Sequence, residues 1–307
     1  MKKLFLIFFL SFISYFSQAT IITKQFNISG YGNFNVVQYI PANATGKLPT
    51  LIFYPGSGES NSNVNGLYVN GPLKFIQAGW SPSFIVVGIQ PNNGLPTSSS
   101  VVDKMLTLVF NDQVLIDTNK FALTGLSYGA ASIMGYFQST GTIHKPIALI
   151  PMSINIYGQC GSYYDNSEYL CGTDSRFANT PTWGFCGTSD SFWDAMSKFF
   201  ILLNKAGYPN KFTAFSGGHC CWNTYYDPNY KESGISIYDW MLQIDLPVIW
   251  GYFQYNEYLD QLEWSAQGET NNDRYEIQES DDGINFKTIG TVPSQNIQGE
   301  AYYTYKF

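Results

Sequence analysis

Ser127 stands at the centre of Gly125-Leu126-Ser127-Tyr128-Gly129, a Gly-x-Ser-x-Gly pattern. A serine hydroxyl becomes a useful nucleophile only when a nearby base takes its proton and a third group orients that base. The chain has two histidines, His144 and His219. His219 lies in Ser216-Gly217-Gly218-His219-Cys220-Cys221-Trp222, where paired glycines let the backbone turn sharply and return a ring toward a sheet edge. His144, in the polar turn Gly141-Thr142-Ile143-His144-Lys145-Pro146, is expected to be a solvated surface histidine. The orienting carboxylate is expected from Asp190, with Asp194 in reserve. Asp190 also sits where an N-cap would precede a helix, a task open equally to Ser189 or Ser191. Such a set attacks a carbonyl, and the resulting oxyanion needs two backbone N–H donors already in place. Tyr128 should supply one donor, being next to the nucleophile at a helix start. The Gly-rich segment Tyr54-Pro55-Gly56-Ser57-Gly58-Glu59-Ser60 should supply the other, from Ser57, with Gly56 second.

These residues need a scaffold that brings loops far apart in sequence to one edge. Short apolar runs at 34–40, 51–54, 84–90, 121–124, 146–150, 182–186 and 211–215 read as strands. Between them, 71–78, 99–110, 128–138, 192–205 and 235–243 carry apolar residues at helical spacing. Strand-then-helix alternation predicts an α/β fold with a mainly parallel sheet and helices on both faces. Ser127, Asp190 and His219 each fall just past a strand's carboxyl end, where open α/β sheets place their ligands. Their chain order, Ser then Asp then His, is that of an α/β-hydrolase fold. Near residue 246 the helical period stops. Strands are expected at 260–265, 274–279, 286–292 and 302–307, with an Asp-Gly turn at 282–283. The expected division is a leader at 1–19, a catalytic domain at 20–246 and a small, incomplete β-sandwich module at 247–307.

Lys2 and Lys3 precede an apolar stretch that ends in Ser17-Gln18-Ala19, the pattern of a signal peptide cleaved after Ala19. The stretch is short against the ~20 residues of a membrane span. The expectation is therefore a secreted protein, periplasmic, cell-surface or extracellular, with no integral span. Export makes the five cysteines disulfide candidates. A Cys160–Cys171 pair and a link from Cys186 to Cys220 or Cys221 are expected, the latter tying two site loops together. A formal charge of −7 and no basic stripe speak against nucleic-acid binding. No cofactor is expected, and neither is a metal, since two histidines and no Cys-x-x-Cys make a poor ligand set. Trp193 and Trp222 follow catalytic candidates closely and are expected to line the substrate site, with Tyr225 and Tyr226 beside them.

Phe53-Tyr54-Pro55-Gly56-Ser57-Gly58-Glu59, Asn70-Gly71-Pro72, the run 84–91 and Thr124-Gly125-Leu126-Ser127-Tyr128-Gly129-Ala130 together resemble a family. It is the secreted α/β-hydrolases of the esterase, feruloyl-esterase-like and "predicted peptidase" group, over about residues 30 to 245. Pro55 stands where that group usually has histidine, and Tyr128 where it has methionine. The resemblance implies a serine carboxylesterase acting on a small-molecule or polysaccharide-linked ester. A peptidase on the same three residues is the alternative, as is a non-catalytic surface or glycan-binding protein. The segment Leu262-Glu263-Trp264-Ser265 through Gly283 and Phe286 resembles a fibronectin-type-III module. That likeness implies a spacer, with surface attachment through a further C-terminal segment.

Overall fold

The computed structural model describes residues 18–42, 44–92, 97–139, 141–154, 175–244, 249–267, 269, 272–281, 283, 285–295 and 300–307. The body of the leader and the Cys160–Cys171 pair lie outside them. Apolar runs become strands where both faces are covered. Leu51, Ile52, Phe53 and Tyr54 are all fully buried, Leu51 and Phe53 in one core cluster and Ile52 and Tyr54 in the other. A central strand of a parallel sheet has this two-sided burial and period of two.

The sheet contains β1 (Thr20–Ile28), β2 (Gly32–Ile40), β3 (Leu48–Tyr54), β4 (Ile85–Pro91), β5 (Ile116–Leu126), β6 (Ala148–Met152), β7 (Thr182–Gly187) and β8 (Asn210–Phe215). Their order across the sheet is β1-β2-β4-β3-β5-β6-β7-β8. β1 pairs with β2, and β2 with β4, antiparallel; every other neighbour is parallel. One core lies under α2 (Ser99–Asp112), α3 (Tyr128–Gln138) and α4 (Trp193–Lys205), including Leu106, Ile133, Met196 and Phe200. The opposite core lies under α1 (Pro72–Gln77), α5 (Trp222–Tyr226) and α6 (Ile237–Leu242), including Leu73, Tyr226 and Met241. α1 was sequence-predicted at 71–78, and starts at Pro72 because proline suits a first helical position. α5 has only five residues, too few to show a period, and carried no sequence signal.

Past residue 248, β9 (Ile249–Asn256), β10 (Gln261–Gln267) and β13 (Ala301–Lys306) form one antiparallel sheet, and β11 (Arg274–Glu279) pairs with β12 (Lys287–Pro293). Trp264, Tyr275, Ile277 and Tyr303 form their shared core. Inside it the buried Glu269 accepts hydrogen bonds from the Tyr275 and Tyr303 hydroxyls. β9 was not expected from the sequence. Phe253 and Tyr255 in it are exposed, so these apolar residues mark no buried face. No helix among the described residues is long and apolar enough to cross a membrane.

Candidate active site

β5 delivers Ser127 through a tight turn into α3. Ser127 has φ 52° and ψ −122°, a conformation disfavoured for a residue with a Cβ. Its surroundings enforce it: the Ser127 N–H donates to the Met152 carbonyl at the end of β6 (2.9 Å). The flanking glycines have a steric reason. A Cβ on Gly125 would lie 2.6 Å from the Gly129 carbonyl carbon, and one on Gly129 would collide with the carbonyl oxygens of Tyr54 and Pro55. The turn therefore packs backbone to backbone against the segment leaving β3.

That segment carries the second expected donor. A Cβ on Gly56 would sit 3.5 Å from Ser127 Cβ, so this loop runs alongside the nucleophile. The Gly56 carbonyl accepts from the Ser60 N–H (3.0 Å) and the Ser60 hydroxyl (2.8 Å), closing the turn and leaving Ser57 exposed at its tip. Among the described residues, neither the Ser57 N–H nor the Tyr128 N–H donates a hydrogen bond.

Asp190 and His219 reach the same edge from β7 and β8. Their loops are joined by backbone. The Thr188 N–H donates to the Phe215 carbonyl and the Ser189 N–H to the Gly217 carbonyl, both at 2.8 Å. Gly187 admits this approach, because a Cβ there would press on the Gly217 and Gly218 carbonyls. His219 Nδ1 lies 2.9 Å from Asp190 Oδ2, and His219 Nε2 lies 3.0 Å from Ser127 Oγ. The Asp190 side chain has 0% exposure and the His219 side chain 36%, so the carboxylate is enclosed while the imidazole faces the opening. The other carboxylate oxygen, Oδ1, accepts from the Phe192 N–H at 3.0 Å. Asp190 thus spends one oxygen on the imidazole and the other on the turn that leads into α4; the N-cap position of that helix is Phe192, and none of Ser189, Asp190 and Ser191 caps it with a side chain.

Aromatic edges hold the imidazole. Phe192 and Trp222 meet the His219 ring edge to face, at 5.3 and 5.1 Å between centroids. Trp222 was expected near the site; Phe192 was not. Trp193 is not against the imidazole: it stacks on Phe212 of β8 at 5.6 Å. The start of α4 sets which of these consecutive aromatic rings turns toward the site. Tyr225 and Tyr226 are core residues. Tyr226 is fully buried with its hydroxyl 2.8 Å from Thr124 Oγ1, which anchors α5 to β5. Asp194 is exposed and pairs with Lys198 at 3.0 Å.

Two further expectations are corrected. Cys186 is a buried free thiol, and Cys220 is bonded to Cys221, its sequence neighbour. Cys186 packs in the core under α4 with Met196 and Phe200. The backbone bonds from Thr188 and Ser189 do what the expected disulfide would have done. Burial, and then the charge of Asp190, push the Cys186 thiol up to about 12. His144 is half-buried: its ring meets Phe110 edge to face (4.8 Å) and its Nε2 lies 2.8 Å from Thr107 Oγ1. Burial lowers its pKa, against the opposing charge of Asp103.

An α/β-hydrolase is the fold class that this strand order and helix arrangement define. No family model matches the sequence, and neither does any curated protein. Among solved structures, a thermostable esterase is similar over 73% of this chain and 62% of its own, with TM-score 0.52 and 17% identity. S-formylglutathione hydrolase FrmB from Staphylococcus aureus is similar over 69% of this chain and 95% of its own, with TM-score 0.50 and 16% identity. The chain thus spans less than two thirds of the thermostable esterase. At these identities the likeness establishes the fold.

Proposed function

We propose that this protein is a serine hydrolase that cleaves carboxylic esters, with Ser127 as nucleophile, His219 as general base and acid, and Asp190 as the orienting carboxylate. The observation that carries the reading is the continuous relay from Asp190 Oδ2 through the imidazole to Ser127 Oγ, at 2.9 and 3.0 Å. Asp190 can only accept, so a proton on His219 Nδ1 faces it and leaves Nε2 free to take the proton of Ser127. Ser127 Oγ then bonds to the ester carbonyl carbon, and the electron pair displaced onto oxygen is met by the N–H groups of Tyr128 and Ser57. Collapse of that adduct breaks the acyl–oxygen bond, and His219 returns its proton to the departing alcohol. Water, deprotonated by His219, releases the acid and restores Ser127.

The substrate class we assign is a small-molecule ester or an acyl group carried on a polysaccharide. The ring edges beside His219 provide flat apolar surface for either. Residues 20–246 would form the catalytic unit, and the fibronectin-type-III-like strands beyond it a spacer. The basic, apolar N-terminus supports export with cleavage near Ala19, and a Cys220–Cys221 bond fits an oxidising compartment. The test is hydrolysis of p-nitrophenyl acetate and butyrate by the mature protein beside Ser127→Ala. Turnover abolished by the substitution is expected. Equal turnover by both proteins would place the active site elsewhere.

A further inference from the structure

Glu59 is a buried carboxylate with no part in the steps above. It sits at the base of the turn that presents Ser57, where its Oε2 would lie 2.9 Å from a Cβ on Gly56. Its backbone is pinned as well: the Gln90 amide donates to the Glu59 carbonyl and, at 2.8 Å, to the Asn63 carbonyl, and Asn35 in turn donates to Gln90 at 2.7 Å. Glu59 Oε1 accepts from the side-chain amide of Asn70. The Asn70 Oδ1 accepts from Asn223 Nδ2 at 2.7 Å. Asn223 then grips the backbone on either side, donating to the Val69 carbonyl (3.3 Å) and accepting from the Gly71 N–H (3.2 Å).

The chemistry fixes every orientation in this chain. A carboxylate has no donor when ionised, so the NH2 of Asn70 must face Glu59 and its oxygen must face Asn223. Asn223 therefore presents NH2 to Asn70 and oxygen to Gly71. Asn223 is four residues past His219, next to Trp222, whose ring holds the imidazole. Glu59 is two residues past Ser57.

We propose that Glu59, Asn70 and Asn223 are positioning residues, a polar strut that sets the oxyanion loop at a fixed distance from the His219 loop. The inference rests on the serine-hydrolase reading of Ser57 and His219. A transition-state donor and a general base must keep a geometry relative to one another, and a misplacement of about 1 Å costs on the order of 10²-fold in rate. Among the described residues no regular element joins these two loops directly. The strut does so with one amide per step.

The test compares Asn223→Ala, Asn70→Ala and the double variant, with Glu59→Gln and Glu59→Ala as a conservative pair. Each Asn variant should lose about 10- to 100-fold in kcat on p-nitrophenyl acetate, with KM within about threefold of wild type. The double variant should lose no more than the worse single one, as for groups acting in one network. Glu59→Gln keeps an acceptor oxygen for Asn70 and should retain most of the kcat that Glu59→Ala loses. Hydrogen exchange of the peptide spanning 55–60 should speed up in Asn223→Ala while the β5 peptide stays unchanged. Asn223 is half-buried, so its variant does not depend on tolerance at the buried Glu59. Wild-type kcat and unaltered exchange in Asn223→Ala would overturn the strut, as would losses that multiply in the double variant. Exchange needs no turnover, so it separates the two ideas. A loosened loop in a protein inert toward esters keeps the strut and sinks the esterase reading; turnover with an unmoved loop sinks the strut alone.

Discussion

Asp190→Asn should abolish most activity while leaving the fold nearly intact, and the structure shows why the substitution cannot compensate itself. Asparagine has one acceptor oxygen where aspartate has two. That oxygen is claimed by the Phe192 N–H, which Asp190 Oδ1 receives at 3.0 Å. The NH2 group is then left facing His219 Nδ1 across the 2.9 Å now spanned by Oδ2. NH2 only donates, so Nδ1 must accept, the ring proton moves to Nε2, and the nitrogen 3.0 Å from Ser127 Oγ can no longer take a proton. Flipping the amide restores the working tautomer but sets NH2 against the Phe192 N–H and forfeits that hydrogen bond, about 1 kcal/mol. Either orientation also lacks the charge that stabilises the imidazolium. A wrong tautomer in this arrangement costs about 10⁴ in kcat, or about 5 kcal/mol at 1.36 kcal/mol per factor of ten. Retention of the Phe192 hydrogen bond in the favoured orientation should keep the stability loss to about 1 kcal/mol, a Tm shift of about 2–4 °C. The assay is kcat/KM on p-nitrophenyl acetate, with Ser127→Ala as the floor, beside a thermal melt. Activity within tenfold of wild type would refute the assignment of Asp190. A large fall in Tm with proportionate loss of activity would make Asp190 a structural anchor of the turn before α4 alone.

Gly129→Ala places a methyl group against the Tyr54 and Pro55 carbonyls, which are backbone and cannot swing aside. Urea denaturation should show a loss of about 1–3 kcal/mol, and kcat should fall because the loop displaced is the one that carries Ser57. Cys186 should resist iodoacetamide at pH 8 in the native protein and react once urea unfolds it, read by peptide mapping; its thiol, at about 12, stays protonated. Since folding favours the neutral thiol, stability should decline as pH rises above about 8.5, the unfolded thiol value. For His144 the sign reverses. Burial favours the neutral ring, so the unfolded chain takes up a proton first as pH falls below about 6.5 and stability drops. His144→Gln should remove part of that drop when urea midpoints at pH 7 and pH 5 are compared.

The relay residues were legible because histidine is scarce in the chain and their loops are written in glycine. With two histidines in the chain, Gly217-Gly218-His219 after a strand left little choice of base. Strands β3, β4, β6 and β7 were legible because burial on both faces makes them nearly continuous apolar runs. What failed needed direction rather than position. Cys186 lies in a strand read correctly, but one residue of phase decides which of the two cores its sulfur enters. Phe192 and Trp193 are consecutive at a helix start, so a boundary uncertain by one residue exchanges which ring meets the imidazole. His144 sits in a polar turn, and only the fold brings Phe110 and Thr107 onto it. Glu59 and Asn70 both stood in segments noticed for their glycines. Asn223, about 150 residues further on, gave no local sign that it completes their network.

The geometry at the sheet edge is held mostly by main chain, and this bears on how little sequence it shares with its structural likenesses. Ser127 is bonded through its amide to the Met152 carbonyl, Thr188 and Ser189 through theirs to the His219 loop, and Ser60 through its own to Gly56. Side-chain identity enters these contacts chiefly as absence: Gly129 against Tyr54 and Pro55, and Gly187 against Gly217 and Gly218. Substitution elsewhere on those loops leaves the bonds in place, because every residue except proline brings the same N–H and C=O. A fold shared at 16–17% identity is consistent with contacts that main chain rather than side-chain identity provides. Besides the Asp190–His219–Ser127 relay, the proposed Glu59–Asn70–Asn223 strut joins loops at this edge through side chains. Drift at any one of its members would break the connection while leaving the sheet, the turn at Ser127 and the Asp190–His219 pair as they are. Relatives lacking one member should thus lack the others and brace the oxyanion loop by different means, an outcome that a structure of such a relative would read directly.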